Sequence, residues 1–397
     1  MAYYFLFPEK DTTIYSHPDR TEMNTGNDEI LEIVKEKGSS DQQYYPSRVL
    51  LKFKNEEIKS TIEDKIGSST FNDGTTEVAL QLLSTEHKNL ISTLNLEVFA
   101  VSQSWDEGTG RFTNIPITSD GTSWFYRDND TDKNLWISSS IYSGSITSSL
   151  GPNTTGSFGS GVSSSGVTEG GAAWYTGSAF QGSQQFLQGD NLDTNINVTT
   201  IVQKHSASLF ASSTYPTGIF NNGLIVKQPD SVETNTSGSF GEMKYFSSNT
   251  HTIYPPRLCF KWDDSIHSSQ SIAKQSGELN VSLYRNKEEY NQNDEAFFRI
   301  HVRDKYPTRT FSTTSNNLDT GYFTTTSYYS IRDAHTEQEI IPFDDNFTKL
   351  SADSEGMYFK IYMKGLQPER YYRVLFKHVN NEGTIIYDDN YHFKVIR

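Results

Sequence analysis

One cysteine stands among 397 residues, Cys259, and a lone thiol excludes both an intramolecular disulfide and a cysteine-based zinc site. Its setting, Arg257-Leu-Cys-Phe-Lys-Trp262, reads as a buried strand, so the thiol is a packing group rather than a nucleophile. Long apolar runs are missing too: nothing approaches the roughly 18 residues a membrane helix needs. The start, Met1-Ala-Tyr-Tyr-Phe-Leu-Phe-Pro-Glu-Lys10, lacks the basic region and apolar length of a secretory signal and reads as a first strand. The expectation is synthesis in a cytoplasm without standard export or membrane insertion. Basic residues are scarce, with 34 Lys plus Arg against 49 Asp plus Glu and a formal charge of −15. No segment gathers the cationic footprint that displaces counterions from a nucleic acid, which removes that partner class. The nine histidines are scattered singly, and none forms the i, i+4 pair of a helical metal site. There is no Gly-x-Ser-x-Gly elbow, phosphate-cradling glycine loop or dinucleotide fingerprint. The chain therefore reads as a non-enzyme without a cofactor; paired carboxylates for sugar hydrolysis are set by the fold, and no motif names them.

What is present is aromatic. With 23 Tyr and 24 Phe in a chain only 34% hydrophobic, many apolar positions carry a large ring, a composition that favours sheets. Runs at 48–54, 78–83 and 94–101 have strand length and β-branched or aromatic content, and the third alternates apolar with polar over its first half. Helical signals are few. Ile58 and Ile62 stand four apart behind a candidate Asn55 cap, and a second helix starts near Asn197 with Val198, Ile201 and Val202 on one face. From 138 to 170 the composition turns to Ser, Gly and Thr, as expected of a long surface loop or linker. Strands resume at 186–188 and 223–227. The polar stretch 264–278 reads as a hinge, after which short strands follow at 279–284, 296–302, 357–363, 371–377 and 391–397. That is the size and rhythm of an immunoglobulin-like sandwich. The expected fold is all-β: a jelly-roll-like antiparallel β-sandwich over 1–263 and a second, smaller immunoglobulin-like β-sandwich over 279–397.

Six short pieces of the first region occur in the order found in the DNRLRE family of β-sandwich domains, which is related to carbohydrate-binding modules. They are Asp11-Thr-Thr-Ile-Tyr-Ser, Ser47-Arg-Val-Leu-Leu-Lys-Phe, Leu94-Asn-Leu-Glu-Val-Phe-Ala-Val with Trp105-Asp-Glu-Gly-Thr-Gly, Asn197-Val-Thr-Thr-Ile-Val-Gln-Lys, Asn221-Asn-Gly-Leu-Ile-Val-Lys and Tyr254-Pro-Pro-Arg-Leu-Cys-Phe-Lys-Trp. The region resembles that family, with the Ser/Gly insertion and the Tyr/Phe-rich first strand as departures. Further on, Gly365-Leu-Gln-Pro-Glu-Arg-Tyr-Tyr-Arg-Val resembles the Leu-x-Pro-x-x-x-Tyr turn of fibronectin type III domains. There Leu366 and Pro368 would shape the turn, and Tyr371 or Tyr372 would return its hydroxyl to upstream backbone as a tyrosine corner. The overall layout resembles a virion structural protein of a tailed bacteriophage. It implies a component of neck, tail, baseplate or head attachment that contacts other virion proteins in a homo- or hetero-oligomeric assembly.

The alternative is an adhesion module that binds a cell-surface polysaccharide. Trp105 with Glu107, and Trp124 with Tyr126, are the candidate sugar contacts, since a ring stacks on a pyranose face while a carboxylate accepts its hydroxyls. Against this stands the plainer reading of the same rings as core or sheet-edge packing. Asp128, Asp130 and Asp132 place oxygens at alternate positions as a calcium loop does, but the loop's glycine and terminal glutamate are missing, and an Asx-rich hairpin tip is the plainer reading.

Overall fold

The computed structural model describes residues 2–88, 90–130, 133–136, 158–159, 170–210, 218–238, 241–268, 278–307, 311, 313 and 321–397. The protein is all-β, built of antiparallel sheets in sandwiches, with helix confined to short segments. Most of the Ser/Gly stretch at 138–170 lies outside the described residues, as does 269–277.

Two compact units divide the chain, Leu6–Cys259 and Met1–Phe5 with Phe260–Arg397. In the larger unit one sheet runs Gln181–Leu187, Thr93–Ala100, Leu224–Lys227, Tyr44–Phe53, Ile30–Lys37, Glu242–Phe246, Ser84–Lys88, and Pro8–Tyr15 also pairs with Tyr44–Phe53. Along Thr93–Ala100 the pleat buries Leu94, Leu96 and Val98 and exposes Thr93 and Asn95, as the alternation predicts. Both expected helices form. The first runs Asn55–Ser60 and continues as a π-helix over Thr61–Ile66, burying Ile58 and Ile62. Its cap is a correction: Lys54 occupies the N-cap position with no side-chain cap, and Asn55 instead accepts a hydrogen bond from Asn221 Nδ2 at 2.9 Å. The second, Thr199–Leu209, buries Ile201 and Val202.

The core of this unit contains charge. Ile14, Leu50, Phe99, Val101, Ile225 and four indoles, those of Trp105, Trp124, Trp136 and Trp174, form one cluster. The Arg48 guanidinium lies over the Trp124 and Trp174 rings at 4.7 and 5.0 Å and pairs with Glu233 at 2.6 Å. Lys227 reaches the same carboxylate at 3.4 Å, and all three side chains are fully buried. An isolated buried charge is costly, so each of these ions depends on its partners.

In the smaller unit, Leu279–Tyr284, Glu295–Asp304, Gly356–Tyr362 and Ser351–Asp353 form one sheet. Arg370–Asn380 is the hub of the other, paired with Ser327–Asp333, Gly383–Tyr387 and His392–Ile396. Rings join the layers: Phe359 stacks on Phe298 at 5.0 Å and on Tyr329 at 4.5 Å, and meets Phe376 edge-on at 5.9 Å. The choice between the two tyrosines is settled by register. Tyr372 is buried and its hydroxyl donates to the Gln367 carbonyl at 2.9 Å, whereas Tyr371 is 46% exposed. Leu366 is buried beneath this turn and Pro368 is half-buried.

The unit boundaries differ from 1–263 and 279–397. The first five residues group with the C-terminal unit: Tyr4 meets Tyr362 edge-on at 5.7 Å, and Tyr3 donates to Asp344 at 3.2 Å. Gly365 permits the approach, because a Cβ there would overlap the Phe5 ring. Within the expected hinge, Ile266–Ser268 is tied to the Ser351–Asp353 strand, with Ala352 N donating to Ile266 O at 2.9 Å and Ser268 N to Ala352 O at 3.0 Å.

Candidate functional site

The tryptophans proposed as sugar platforms do not reach solvent. Trp105 and Trp124 are 6% and 3% exposed and pack in the indole cluster, and Trp105 Nε1 is spent on the Asn222 carbonyl at 2.8 Å. Trp124 is covered by the Arg48 guanidinium. Glu107 is half-buried, with Oε1 accepting from Asp11 N at 2.8 Å, and burial pushes its pKa up. Tyr126 is half-buried in a short hairpin pairing with Leu135, with Lys133 over its ring at 6.0 Å. Packing is thus what the two indoles do, and their rings cannot stack on a sugar face. Asp128 accepts from Asp130 N at 3.1 Å, the Asx turn of a hairpin tip. Asp132 lies outside the described residues, and among the described residues no group of three or more His, Cys, Asp or Glu side chains is placed to hold a metal.

Beyond Glu107 the chain forms a loop whose base is closed by one asparagine. Asn24 Nδ2 donates to Glu107 O at 2.6 Å and Thr122 O at 2.8 Å, and its Oδ1 accepts from Gly110 N at 2.8 Å and Gly26 N at 3.1 Å. All four hydrogen-bonding positions of the amide are used. Other polar groups complete the base. Asp120 accepts from Thr109 N at 3.1 Å, Asp28 from Phe112 N at 3.0 Å, and Asn129 Nδ2 donates to Ser119 O at 2.6 Å. Gly121, at φ +62°, brings the two limbs together where a Cβ would overlap Gly108. Above this base stands Ile115-Pro116-Ile117, with Ile115 96% and Ile117 46% exposed.

A second surface feature is a cleft of about 490 Å³ on the same unit. Its floor follows from the two-residue period of paired strands: Glu32, Val34 and Glu36 share one face of Ile30–Lys37, and Glu242 and Lys244 stand opposite Val34 and Glu32. Lys244 pairs with Glu32 at 2.6 Å, which also accepts from the buried Tyr15 hydroxyl at 2.8 Å. Arg20 pairs with Glu36 and lies over the Phe112 ring at 4.3 Å. Tyr44 and Lys37 form the rim. None of these residues belongs to the sugar-contact set expected from the sequence. The available signal was the alternation of charged and apolar residues in Glu242-Met-Lys-Tyr245 and, before it breaks at Val34, in Leu31-Glu-Ile33.

No family model matches the chain, and no curated protein matches it.

Proposed function

We propose that the protein is a non-enzymatic structural component of a phage virion, in neck, tail, baseplate or head attachment, that acts through protein–protein interfaces. The single observation that carries this reading is the Ile115-Pro116-Ile117 tip on its hydrogen-bonded base. Scattered exposed apolar side chains are ordinary on any surface. Here two isoleucines flank a proline on a loop fixed by a fully bonded amide, so little conformational entropy remains to be lost on docking. Burying an isoleucine side chain contributes about 1.5–3 kcal/mol, enough for a pair to dominate a small interface. The DNRLRE resemblance of 1–263 and the phage-like layout belong to the same reading: rigid sandwiches present fixed patches to neighbouring subunits. The test is incorporation. With Ile115→Asp and Ile117→Asp together, the isolated protein keeps its melting temperature while its recovery in assembled particles falls at least tenfold. Normal incorporation of the folded double variant would remove the tip from the interface.

A further inference from the structure

We propose that Gln181–Leu187, the edge strand of the large sheet in the larger unit, pairs with the same strand of a second copy of this chain, antiparallel about Gln184. None of its residues belongs to the Ile115-Pro116-Ile117 loop, so the inference goes beyond the tip and stands without it.

In an antiparallel strand the N–H and C=O of one residue point to one edge and those of the next residue to the other. Gln188 N donates to Ser92 O at 3.1 Å, so Gly182, Gln184 and Phe186 turn their backbone groups toward Thr93–Ala100. Gln181, Ser183, Gln185 and Leu187 turn theirs outward. Leu187 N donates to Asp190 Oδ2 at 2.8 Å, which closes that end of the edge. Among the described residues, nothing meets the outward N–H and C=O of Ser183 and Gln185.

Such an edge is a template for another strand, and proteins ordinarily blunt it with charge, proline, a bulge or a covering segment. The opposite edge of the same sheet, Ser84–Lys88, carries Glu86, His87 and Lys88. In the smaller unit, Leu283 N on the Leu279–Tyr284 edge donates to Asp389 Oδ2 at 3.0 Å, and Ile266–Ser268 covers Ser351–Asp353. Gln181-Gly-Ser-Gln-Gln-Phe-Leu187 has no charge and no proline, and its register with Thr93–Ala100 runs without a bulge.

The occupant follows from symmetry. A two-fold axis at Gln184 sets Ser183 opposite Gln185 of the second copy as a hydrogen-bonded pair, so that each N–H meets the other residue's C=O and none of these groups is left over. The exposed side chains brought together, a hydroxyl and a carboxamide, both donate and accept, so the edge complements itself. Each chain carries a formal charge of −15, and an uncharged edge is where two copies approach with least repulsion.

Sedimentation velocity of the full chain over a wide concentration range tests the assignment, with Ser183→Lys plus Gln185→Lys as the variant and circular dichroism as the check on folding. Cysteine pairing tests the register independently: Ser183→Cys and Gln185→Cys proteins are oxidised separately and mixed, Cys259 being buried. Opposed Cβ atoms in such a pair lie about 4.5–5.5 Å apart, against about 7–8 Å on the diagonal that either cysteine protein alone would have to bridge. The expected result is a reversible monomer–dimer equilibrium whose dissociation constant rises at least tenfold in the folded lysine variant, with disulfide-linked dimer forming mainly in the mixture. A chain that stays monomeric throughout, equal dimerisation of the folded lysine variant, or cross-linking no greater in the mixture than in either protein alone would overturn it.

Discussion

Asn24 and Glu107, 83 residues apart, are joined by an amide-to-carbonyl hydrogen bond of 2.6 Å. Through it the segment before the Ile30–Lys37 strand governs a loop much later in the chain, because the same amide also closes onto Gly110 and Thr122. Replacing Asn24 with Ala leaves buried backbone groups without partners, each costing about 1–3 kcal/mol. Urea denaturation should show a loss of that order or more. Amide exchange should accelerate at Gly110 and across the loop base before it does in the Thr93–Ala100 strand.

Glu233 is the single carboxylate serving both Arg48 and Lys227 inside the larger unit. Glu233→Gln keeps the shape but leaves the buried Arg48 without its carboxylate, while Lys227 retains Asp230 at 2.6 Å, and the expected cost is about 3–5 kcal/mol in chemical denaturation. A change below about 1 kcal/mol would mean that the Trp124 and Trp174 faces and the Gly171 carbonyl satisfy Arg48 unaided.

Tyr372→Phe removes the hydroxyl that reaches Gln367 and should cost about 1–2 kcal/mol. Tyr371→Phe, at an exposed ring, should change the denaturation midpoint little. Equal effects at the two positions would contradict the corner geometry.

Asp11 supplies the pH dependence. Burial pushes its pKa up to about 7, against opposing hydrogen bonds from Ser248 N at 2.6 Å and Ser248 Oγ at 3.0 Å, and the nearby Glu107 charge adds to the rise. A folded pKa above the unfolded value of 3.8 means that the folded state holds this proton more tightly. The stabilisation is therefore fully present below pH ~4 and is lost as the pH rises through about 7. Asp11→Asn should flatten the stability profile over that window, measured as denaturation midpoints from pH 4 to 8. Parallel profiles for the two proteins would contradict the assignment.

Strands whose apolar residues dominate, such as Leu94–Ala100 and the last strands of the chain, were legible in the sequence because the pleat itself writes their alternation. Ile30–Lys37 and Glu242–Phe246 were not singled out, since Glu32, Glu36 and Lys244 on their open face dilute the apolar signal. Ser327–Asp333 was hidden for a different reason: it buries Ser327 and Ser330, and Ser330 satisfies itself on the Ile341 carbonyl at 2.9 Å. The loop base was illegible because Asn24 finds its partners only after the chain has folded back on itself. Likewise the sequence leaves Trp105 and Trp124 open between a sugar platform and core, with core the plainer reading, and their packing in the indole cluster decides for core. The Tyr371–Tyr372 choice turns on a one-residue register that puts neighbouring side chains on opposite faces.

The proposed function requires the Ile115-Pro116-Ile117 tip to dock on another virion protein. Its most direct measurement is photo-crosslinking from position 115, with a photoreactive side chain carried by the chain in assembled particles. The expected result is one dominant adduct with a second virion protein or another copy of this chain, reduced by Ile117→Asp. Purified particles that lack the chain, or that contain it without any adduct from position 115, would contradict it.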